Sequence, residues 1–308
     1  MISEAFASGP AATFTREQAR GAGFGDHEIA CAVRAGRWVR VRRDMYALPF
    51  GVGSQPTEEQ SHVVRVQGVA AKLGHRCIVS HQSAVLVHGL PVWGASLDQV
   101  HLTRIGAGTS RSRAGVTMHL NRLLDGDDVV VHDIRVTTAA RSLVDLARVA
   151  GFEAGVCAME AALRLRSTTR IELERASTPL HRQRGAGVAR RAVDFVDGAS
   201  ESVGESRMRV AIHELGLPAP QLQELFCNDR GRPVGRVDFW WPDVNVIGEF
   251  DGLVKYRGTL GNPVDVLIAE KRREDALRAL TGARVIRFTW ADLGDRVRLQ
   301  GVLRSALR

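Results

Sequence analysis

Acidic residues recur at defined spacings in the last third of the chain. Asp238 lies in a segment with a strand pattern. Glu249 and Asp251 lie two residues apart in the next such segment, so their side chains leave one face of that strand. Glu205 lies in a helical segment upstream. Carboxylates that converge from separate elements can hold Mg²⁺, which keeps waters for attack and bridges a phosphate oxygen. This pattern predicts metal-dependent cleavage of a phosphodiester.

Such cleavage also needs a cationic group beside the acids, to stabilise the charge that develops in the transition state. The chain has 42 basic residues, and its lysines are Lys72, Lys255 and Lys271. Lys255 and Lys271 follow the acids, and a lysine kept in an arginine-rich chain indicates a role that the arginine fork fills poorly. We therefore predict that Lys255 stabilises charge, with Lys271 as the other candidate.

The elements predicted around the acids follow the order helix, strand, strand, strand, helix, strand and helix. Before the final helix, the segments lie at residues 202–216, 221–227, 234–241, 244–252, 263–280 and 284–290. The helix at 263–280 also has an ordinary explanation as a solvated face, because Lys271 with Asp275 and Glu274 with Arg278 have the i,i+4 spacing of ion pairs. His213, in the first helix, is interpreted as a packing residue.

Four segments of this region resemble a known family of domains. ESRMRVAIHELGLPAPQ, GRVDFWWP, GEFDGLVKY and EKRREDALRALTGARVIRFTW are similar to domains related to the very-short-patch-repair (Vsr) endonucleases, in the PD-(D/E)XK nuclease superfamily. The resemblance covers about residues 200–295. It implies that Asp238, Glu249 and Asp251 bind metal and that Glu205 supports them.

The chain departs from the superfamily pattern at two places. Asp251 stands where the third-strand motif usually has lysine. The Vsr-type catalytic histidine after the Asp-Gly pair is absent, and Lys255 and Tyr256 lie nearby instead. Lys255 from the next turn, or Lys271 from the following helix, would have to replace the missing lysine. A nuclease fold that only binds DNA is the alternative.

The first regular pattern of the chain is helix, turn, helix and hairpin. Thr15 and Gln18 have the spacing of a capping box before a short helix, and a second helix begins near Asp26 and ends at Gly36. The segment WVRVRRDMYAL then alternates as two strands around a turn at Asp44. This order predicts a winged helix-turn-helix.

Arginines cluster on the end of the second helix and on the hairpin, with no acidic residue among them. Positive charge is expected where these elements of a winged helix meet phosphates, and the alternative is a solvated basic face. The formal net charge of +8 favours polyanionic partners only weakly, because arginine is abundant throughout. The predicted DNA-binding residues are Arg34, Arg37, Arg40, Arg42 and Arg43.

The amino-terminal half also resembles a known family. FTREQARGAG, RAGRWVRVRRDMYAL, VSHQSAVLVHGLPVWG, VHLTR and IRVTTAARSLVDLAR are similar to the AbiEi-type antitoxins of type IV toxin-antitoxin systems, over roughly residues 11–175. The resemblance implies a winged helix, a mixed α/β module, operator binding and neutralisation of a nucleotidyltransferase toxin. Asp44 is a departure, since glycine is usual at this turn.

Histidine and cysteine patterns favour packing over metal binding. His81 and His88 lie seven residues apart on a helical segment, two turns apart on one face. That distance is too long for two ligands of one zinc ion without other partners, so we interpret both as packed or capping residues. The cysteines form no CxxC pair, which predicts free core thiols in a reducing compartment at Cys31, Cys77, Cys157 and Cys227.

Length and composition predict a multidomain protein, and the order of its predicted elements indicates a mixed α+β and α/β class. The 308 residues are 44% hydrophobic and 25% charged, which is typical of globular domains and excludes a largely disordered chain. We predict a winged helix at 1–54, an AbiEi-like mixed α/β module with a linker at 55–198, and a PD-(D/E)XK-type αβββαβ core at 199–308. No run of 18 apolar residues and no signal-peptide pattern occurs, which predicts a cytoplasmic protein without membrane contact.

These observations predict a DNA-binding protein with a Mg²⁺- or Mn²⁺-dependent DNA endonuclease domain that a winged helix targets. In this hypothesis Asp238, Glu249 and Asp251 hold the metal, Glu205 orients it or a water, and Lys255 stabilises charge.

The main alternative is a transcriptional regulator or antitoxin, in which the nuclease fold only binds double-stranded DNA and a linked nucleotidyltransferase toxin is the partner. A third is an interaction module whose basic surface meets an acidic protein. A homodimer is compatible with each, because many winged-helix regulators bind palindromes.

Overall fold

The structure of the chain is a computed structural model with a mixed α and β fold. It describes residues 13–21, 23–35, 37–42, 45–47, 57–73, 77–104, 111–113, 115–121, 123–180, 183–252 and 263–308. The chain divides into two compact units. The first unit comprises Met1–Ala158 and Arg166–Asp194, and the second comprises Met159–Leu165 and Phe195–Arg308. No helix in these described ranges has the length and apolar character needed to cross a membrane.

The predicted boundaries relate to these units in different ways. The division near residue 195 lies within four residues of the boundary predicted at 198. The boundary predicted at residue 54, between the winged helix and the middle module, lies outside the described residues. The predicted winged helix belongs to the first unit, and so does the predicted middle module except for Met159–Leu165 and its last four residues, which belong to the second.

The first unit opens with a small helix and sheet assembly. Its elements are β1 (Thr13–Thr15), α1 (Arg16–Gly21), α2 (Asp26–Arg34), β2 (Val39–Arg42) and β3 (Met45–Ala47). The strands pair antiparallel in the order β1-β3-β2, and β1 is a strand that the sequence pattern does not predict. Phe14, Trp38 and Tyr46 pack their rings together over Ile29 in the core. This aromatic core fixes the helices against the hairpin.

The rest of the first unit is a mixed sheet with helices. Its elements are α3 (Glu58–Leu73), β4 (Cys77–Val79), α4 (His81–Val87), β5 (Val100–Arg104), β6 (Arg111–Arg113), β7 (Val116–His119), β8 (Asp128–Val131), β9 (Ile134–Thr137), α5 (Ala139–Ala150), the first part of α6 (Phe152–Arg164), α7 (Arg170–Ser177) and α8 (Ala186–Phe195) without its last residue. The second part of α6, from Met159, belongs to the second unit. The strand order is β6-β7-β5-β4-β9-β8. β5 with β7 and β4 with β9 are parallel pairs, and the other neighbours are antiparallel.

The segment VVVHDIRVTT at residues 129–138 has the β-branched composition that predicts a single strand, but in the structure it contributes to a hairpin. His132 and Asp133 have φ of +49° and +60°, so both adopt the left-handed conformation that a two-residue hairpin turn requires. β8 and β9 pair across this turn, from Asp128–Thr137 to Val131–Ile134. The prediction of one strand was wrong because the His-Asp pair lacks the glycine that usually marks such a turn.

The second unit contains the elements around the acids. They are α9 (Val203–Glu214), β10 (Gln221–Cys227), β11 (Pro233–Trp241), β12 (Val246–Asp251), α10 (Pro263–Thr281), β13 (Arg284–Thr289), α11 (Trp290–Gly294) and α12 (Arg296–Ala306). The sheet order is β10-β11-β12-β13, with antiparallel pairs up to β12 and a parallel β12–β13 pair. This order of elements agrees with the predicted one as far as β13, after which two helices follow instead of one.

Apolar residues cover both faces of this sheet. Ile212 of α9 and Leu303 of α12 pack with Phe239 in one cluster. Leu277 of α10 packs with Ile247 in a second cluster. The parallel strand β12 is therefore buried on both faces, as its apolar run predicts.

The cysteines are free, as the sequence predicts, but they are not all in the core. Cys157 is buried, and Cys31 and Cys77 are half-buried. Cys227 is exposed at the end of β10, so its prediction as a core thiol was wrong. The reason is local, because this strand end leads into a solvent-exposed turn.

Candidate active site

Glu205 occupies a buried position in the first turn of α9. Ser202 caps the helix, accepting a hydrogen bond from the Glu205 amide (3.1 Å) and donating from its hydroxyl to Glu205 Oε1 (2.7 Å). The Glu201 amide donates to Glu205 Oε2 (2.8 Å). Burial raises the pKa of Glu205, the nearby Asp238 carboxylate raises it further, and the hydrogen bonds oppose the shift.

Two contacts of α9 fix the position of Glu205. Gly204 lies against the Phe250 ring so closely that an added Cβ would be 2.1 Å from a ring carbon. Arg209, one turn further along, forms an ion pair with the fully buried Glu160, and burial lowers the pKa of Arg209 to about 10. The helix is therefore held directly on β12 and on the end of α6.

Gln223 joins Glu205 to Asp238. Its amide Nε2 donates to Glu205 Oε2 (2.9 Å) and to Asp238 Oδ1 (3.4 Å). Gln223 has φ of +54° inside β10, a conformation that is costly for a residue with a side chain. Strain of this kind is often found at functional sites.

Asp238 lies where β11 and β12 separate. The paired residues of the two strands run from Trp241–Val246 to Phe239–Gly248. Beyond that point the Phe250 amide donates to Asp238 Oδ2 (2.7 Å). The carboxylate thus takes a hydrogen bond from the neighbouring strand and sits in the gap between the strands.

Glu249 is paired with arginines. Arg273 of α10 donates to Glu249 Oε1 (2.7 Å) and to the carbonyl of Arg236 (2.8 Å), and Arg287 Nε lies 3.8 Å from Glu249 Oε2. Burial raises the pKa of Glu249, Arg273 opposes the shift, and Asp238 adds to it. Two buried carboxyls on β12 and α9 are therefore shifted in the same direction by burial and by the same Asp238.

The other predicted residues of this region have different positions. Asp251 ends β12 and is half-buried. Lys255 and Tyr256 lie outside the described residues. Lys271 is exposed on α10.

The two ordinary interpretations in this region have counterparts in the structure. The i,i+4 pair of Glu274 with Arg278 is present at 2.6 Å. The exposed His213 has its ring centroid 4.9 Å from that of Phe195.

Oxygen ligands of this type suit Mg²⁺. The structure brings Glu205 and Asp238 together through Gln223, and Glu249 lies close enough to Asp238 for the pKa of Glu249 to respond. Within the described residues, these acids do not form a group of three whose oxygens all lie within 4.8 Å of one another. Binding one ion through three of them would require Glu249 to turn away from Arg273.

Gln223 and Arg273 are site residues that sequence reasoning missed. Arg273 lies two positions from Lys271 on the same predicted helix. It was missed because the cationic group was sought among the rare lysines and not among the many arginines. Gln223 had a weak signal, since it is a polar residue in a segment with strand pattern two residues after Gln221.

The predicted DNA-binding arginines lie on the first unit. Arg34 ends α2, Arg37 follows it, and Arg40 is in β2, all three exposed to solvent. Arg42 also belongs to β2, and Arg43 lies outside the described residues.

A histidine cluster in the first unit was missed altogether. It consists of His81 at the start of α4, His101 in β5 and His119 in β7, whose ring nitrogens lie within 4.8 Å of one another. His88, which the sequence pattern pairs with His81, instead donates to the Thr137 carbonyl (2.8 Å) and has no place in the cluster.

No protein-family model matches the chain. Two uncharacterized proteins of Mycobacterium tuberculosis, from strains CDC 1551 and H37Rv, are each 34% identical to it over 122 residues. The matched part is 40% of this chain and 45% of each relative, so the chain spans less than half the length of these relatives. These relatives therefore assign no function to the chain.

Proposed function

We propose that the protein binds double-stranded DNA through an AbiEi-like winged helix in its first unit and cleaves DNA with a Vsr-like, Mg²⁺-dependent PD-(D/E)XK domain in its second unit. The observation that carries this proposal is the meeting of Glu205, Asp238 and Glu249 from a helix and two adjacent strands. Each is at least partly buried, and burial raises the pKa of both glutamates. Buried acids with raised pKa values are typical of sites that bind a cation or transfer a proton.

The fold around the acids supports the nuclease proposal. The order α9-β10-β11-β12-α10-β13 is the αβββαβ order of that superfamily, with Asp238 on the second strand and Glu249 and Asp251 on the third. The separation of β11 from β12 leaves the Asp238 carboxylate room to face a ligand. Mn²⁺ would suit the same oxygen ligands.

The winged-helix proposal is supported by the order of the first elements, in which α1 and α2 precede the hairpin of β2 and β3 and β1 adds a third strand to it. Arg34, Arg37 and Arg40 are exposed on α2, on the segment after it and on β2. Exposed guanidinium groups on such elements are placed to meet phosphates, and their contribution to affinity would fall steeply with salt.

The residues divide the work of phosphodiester cleavage. Mg²⁺, when bound, would supply a water of lowered pKa and neutralise charge on the phosphate. Asp238 and Glu249 would hold the ion, with Asp251 beside them, and Glu205 would orient the Asp238 carboxylate through Gln223. Arg273, released from Glu249, would be available to stabilise negative charge together with Lys255.

The test is a plasmid nicking assay with untagged full-length protein in Mg²⁺, Mn²⁺ or EDTA. We expect metal-dependent nicking that Asp238→Asn reduces by at least about 100-fold, because the substitution removes a metal-binding charge. Asp243→Asn is the matched control, since Asp243 is an exposed acid in the turn that follows the same strand. It should nick like the unaltered protein.

Two results would overturn the nuclease proposal. One is nicking that survives in Asp238→Asn. The other is the absence of nicking in every metal, under conditions where the protein retards DNA in a gel.

A non-catalytic regulator or antitoxin is the second candidate function, and the Arg273–Glu249 ion pair favours it. A carboxylate neutralised by a guanidinium at 2.7 Å is a weaker metal ligand than a free one. In this case the second unit only binds DNA, and the partner is a nucleotidyltransferase toxin encoded nearby.

If the protein is a regulator, its DNA binding should depend on the arginines of the predicted winged helix and should be unaffected by substitution of the acids in the second unit. Arg37→Ala with Arg40→Ala should lower the slope of log affinity against log salt by about 2, roughly one for each phosphate that an arginine no longer neutralises. Arg191→Ala is the control, because Arg191 is an exposed arginine on α8 and is not part of the predicted winged helix. An unchanged slope in the double variant would reject the wing as the DNA-binding surface.

A further inference from the structure

The histidine cluster is built from three separate elements of the first unit. Nδ1 of His101 and Nε2 of His119 are 2.8 Å apart, on the parallel strands β5 and β7. The His81 ring stacks on that of His119, with centroids 3.7 Å apart, and its centroid is 5.7 Å from that of His101. His81 is 1% exposed, and the other two are half-buried.

We propose that His81, His101 and His119 bind a divalent first-row transition metal ion, with Zn²⁺ as the preferred ion. Imidazole nitrogens are good ligands for zinc, copper, iron and nickel, and three histidines leave a fourth position open. Zinc–nitrogen bonds of about 2.0–2.1 Å place tetrahedral ligand atoms about 3.3 Å apart, so His101 and His119 need to separate by only about 0.5 Å.

The protonation of the cluster favours this role. Burial, as the largest cause, and the neighbouring His119 and His62 together lower the pKa of His101 to about 3. Burial also lowers the pKa of His81 and of His119. Burial therefore disfavours the positively charged form of each ring, and metal binding requires the uncharged form.

The backbone and the neighbours hold the rings in place. His81 has φ of +53°, which is unusual for a side chain of its size and fixes it at the start of α4. Its Nδ1 lies 2.9 Å from Ser80 Oγ. Hydrogen bonds of this kind to the second ring nitrogen set the orientation of metal-binding histidines.

Gln82 supplies a further pointer to a ligand. Its Nε2 donates to His101 Nε2 (2.9 Å) and to the Ser96 carbonyl (3.2 Å). Its Oε1 is buried and has no hydrogen-bond partner among the described residues. A metal ion on Nδ1 of His101 requires that the ring proton lie on Nε2. If the Gln82 side-chain amide rotates by about 180°, its Oε1 can accept a hydrogen bond from that N–H, and the hydrogen bond from Gln82 to the Ser96 carbonyl is lost. The unpaired oxygen thus gains a partner when the ring proton of His101 lies on Nε2, which is the tautomer that a metal ion on Nδ1 selects.

Fixed charges near the cluster are balanced within α5 and its contacts. The fully buried Asp145 accepts from Arg141 (2.9 Å) and Arg148 (2.6 Å), and Arg141 also donates to Asp127 (2.6 Å). Asp145 raises the pKa of His119 while Arg148 lowers it. Because these carboxylates are paired with arginines, we take the imidazole nitrogens as the groups that bind the metal ion.

Zinc binding by untagged full-length protein tests the proposal. After EDTA treatment and dialysis, Zn²⁺ is titrated against a chromophoric chelator with excess Mg²⁺ present, so that the acids of the second unit do not compete for zinc. We expect one zinc per chain. His101→Gln and His119→Gln should each weaken zinc affinity by more than about 100-fold. Loss of a metal ligand lowers affinity more than loss of a residue that only hydrogen-bonds to a ligand, which costs about 10- to 100-fold.

Matched variants separate metal binding from packing. His88→Gln alters a half-buried histidine that binds Thr137 instead, and it should retain zinc affinity. His119→Cys should retain zinc and, with Co²⁺ as the probe, add a thiolate absorption band absent from the unaltered protein. A packing role predicts neither result. Circular dichroism checks that each variant is folded.

Failure of this proposal is distinguishable from failure of the nuclease proposal. Asp238→Asn should bind zinc like the unaltered protein, whether or not it nicks DNA. Less than about 0.1 zinc per chain at saturation, or equal affinity in His88→Gln and His119→Gln, would overturn the histidine site.

Discussion

The acidic site of the second unit and the histidine cluster of the first unit both bury groups that can bind a cation, but burial shifts their pKa values in opposite directions. Burial raises the pKa of Glu205 and Glu249 and lowers that of His101 and His119, so in both places the charged form is costly. The acids are partly neutralised by an arginine. The histidines are neutral by themselves and need no counter-ion.

The two regions also differ in what holds them in place. In the first unit, an internal ion network centred on Asp145 lies next to the cluster, with Arg141 and Asp145 both buried. In the second unit, the acids are positioned by helix packing, through Gly204 against Phe250. Charge therefore stabilises the surroundings of the neutral ligands, whereas apolar contact and the Arg209–Glu160 ion pair together stabilise those of the charged ones.

The largest test of this difference is Asp145→Asn. The change leaves the buried Arg141 and the nearby Arg148 without their shared carboxylate, and breaking a buried pair costs about 3–5 kcal/mol. Hydrogen exchange followed by mass spectrometry should show the loss of stability in peptides of the first unit and little change in those of the second. Asp128→Asn is the control, because its pair with Arg135 is partly exposed and should cost at most about 1 kcal/mol. Equal effects of the two substitutions would refute the role of the network.

A smaller effect is expected from Gly204→Ala. The added Cβ would overlap the Phe250 ring, and overpacking of this kind costs about 1–3 kcal/mol. It should also reduce any nicking activity, because α9 carries Glu205. Gly187→Ala in α8 is the control, since nothing lies within 4 Å of its added Cβ and alanine should stabilise the helix by up to about 1 kcal/mol. Similar unfolding midpoints for both variants would show that α9 does not rest on Phe250.

The smallest expected effect is a pH dependence confined to the first unit. Burial lowers the pKa of His62 and His88 below the unfolded value of about 6.5. A lowered folded pKa gives stability that is present above pH 6.5 and is lost as the pH falls. Glu205 and Glu249 shift in the opposite direction, so acidification does not destabilise the second unit through them.

Fluorotryptophan labels can follow this pH dependence in urea with EDTA present. Trp38 and Trp93 report on the first unit, and Trp240, Trp241 and Trp290 report on the second. The midpoint for the first unit should decrease from pH 7 to pH 5, and His88→Gln should reduce that decrease. If the unfolding midpoint of the first unit does not change between pH 7 and pH 5, the buried histidines do not contribute a pH-dependent stability to that unit.

The sequence alone determined the order of elements in the second unit and the location of its acids. Asp238, Glu249 and Glu205 were recognisable because their spacing follows strand and helix periods, which depend on local backbone geometry. The hairpin of β2 and β3 was predictable for the same reason. Amphipathic patterns and capping residues act within a few residues of the chain.

Only the tertiary structure determined how distant segments meet. The sheet order β7-β5-β4 brings His101 and His119 together beside the start of α4, although 38 residues separate His81 from His119 in the sequence. Arg273, rather than a lysine, reaches Glu249 because α10 packs on that face of β12. These contacts depend on strand order and helix packing, which the local periodicity of a sequence does not encode.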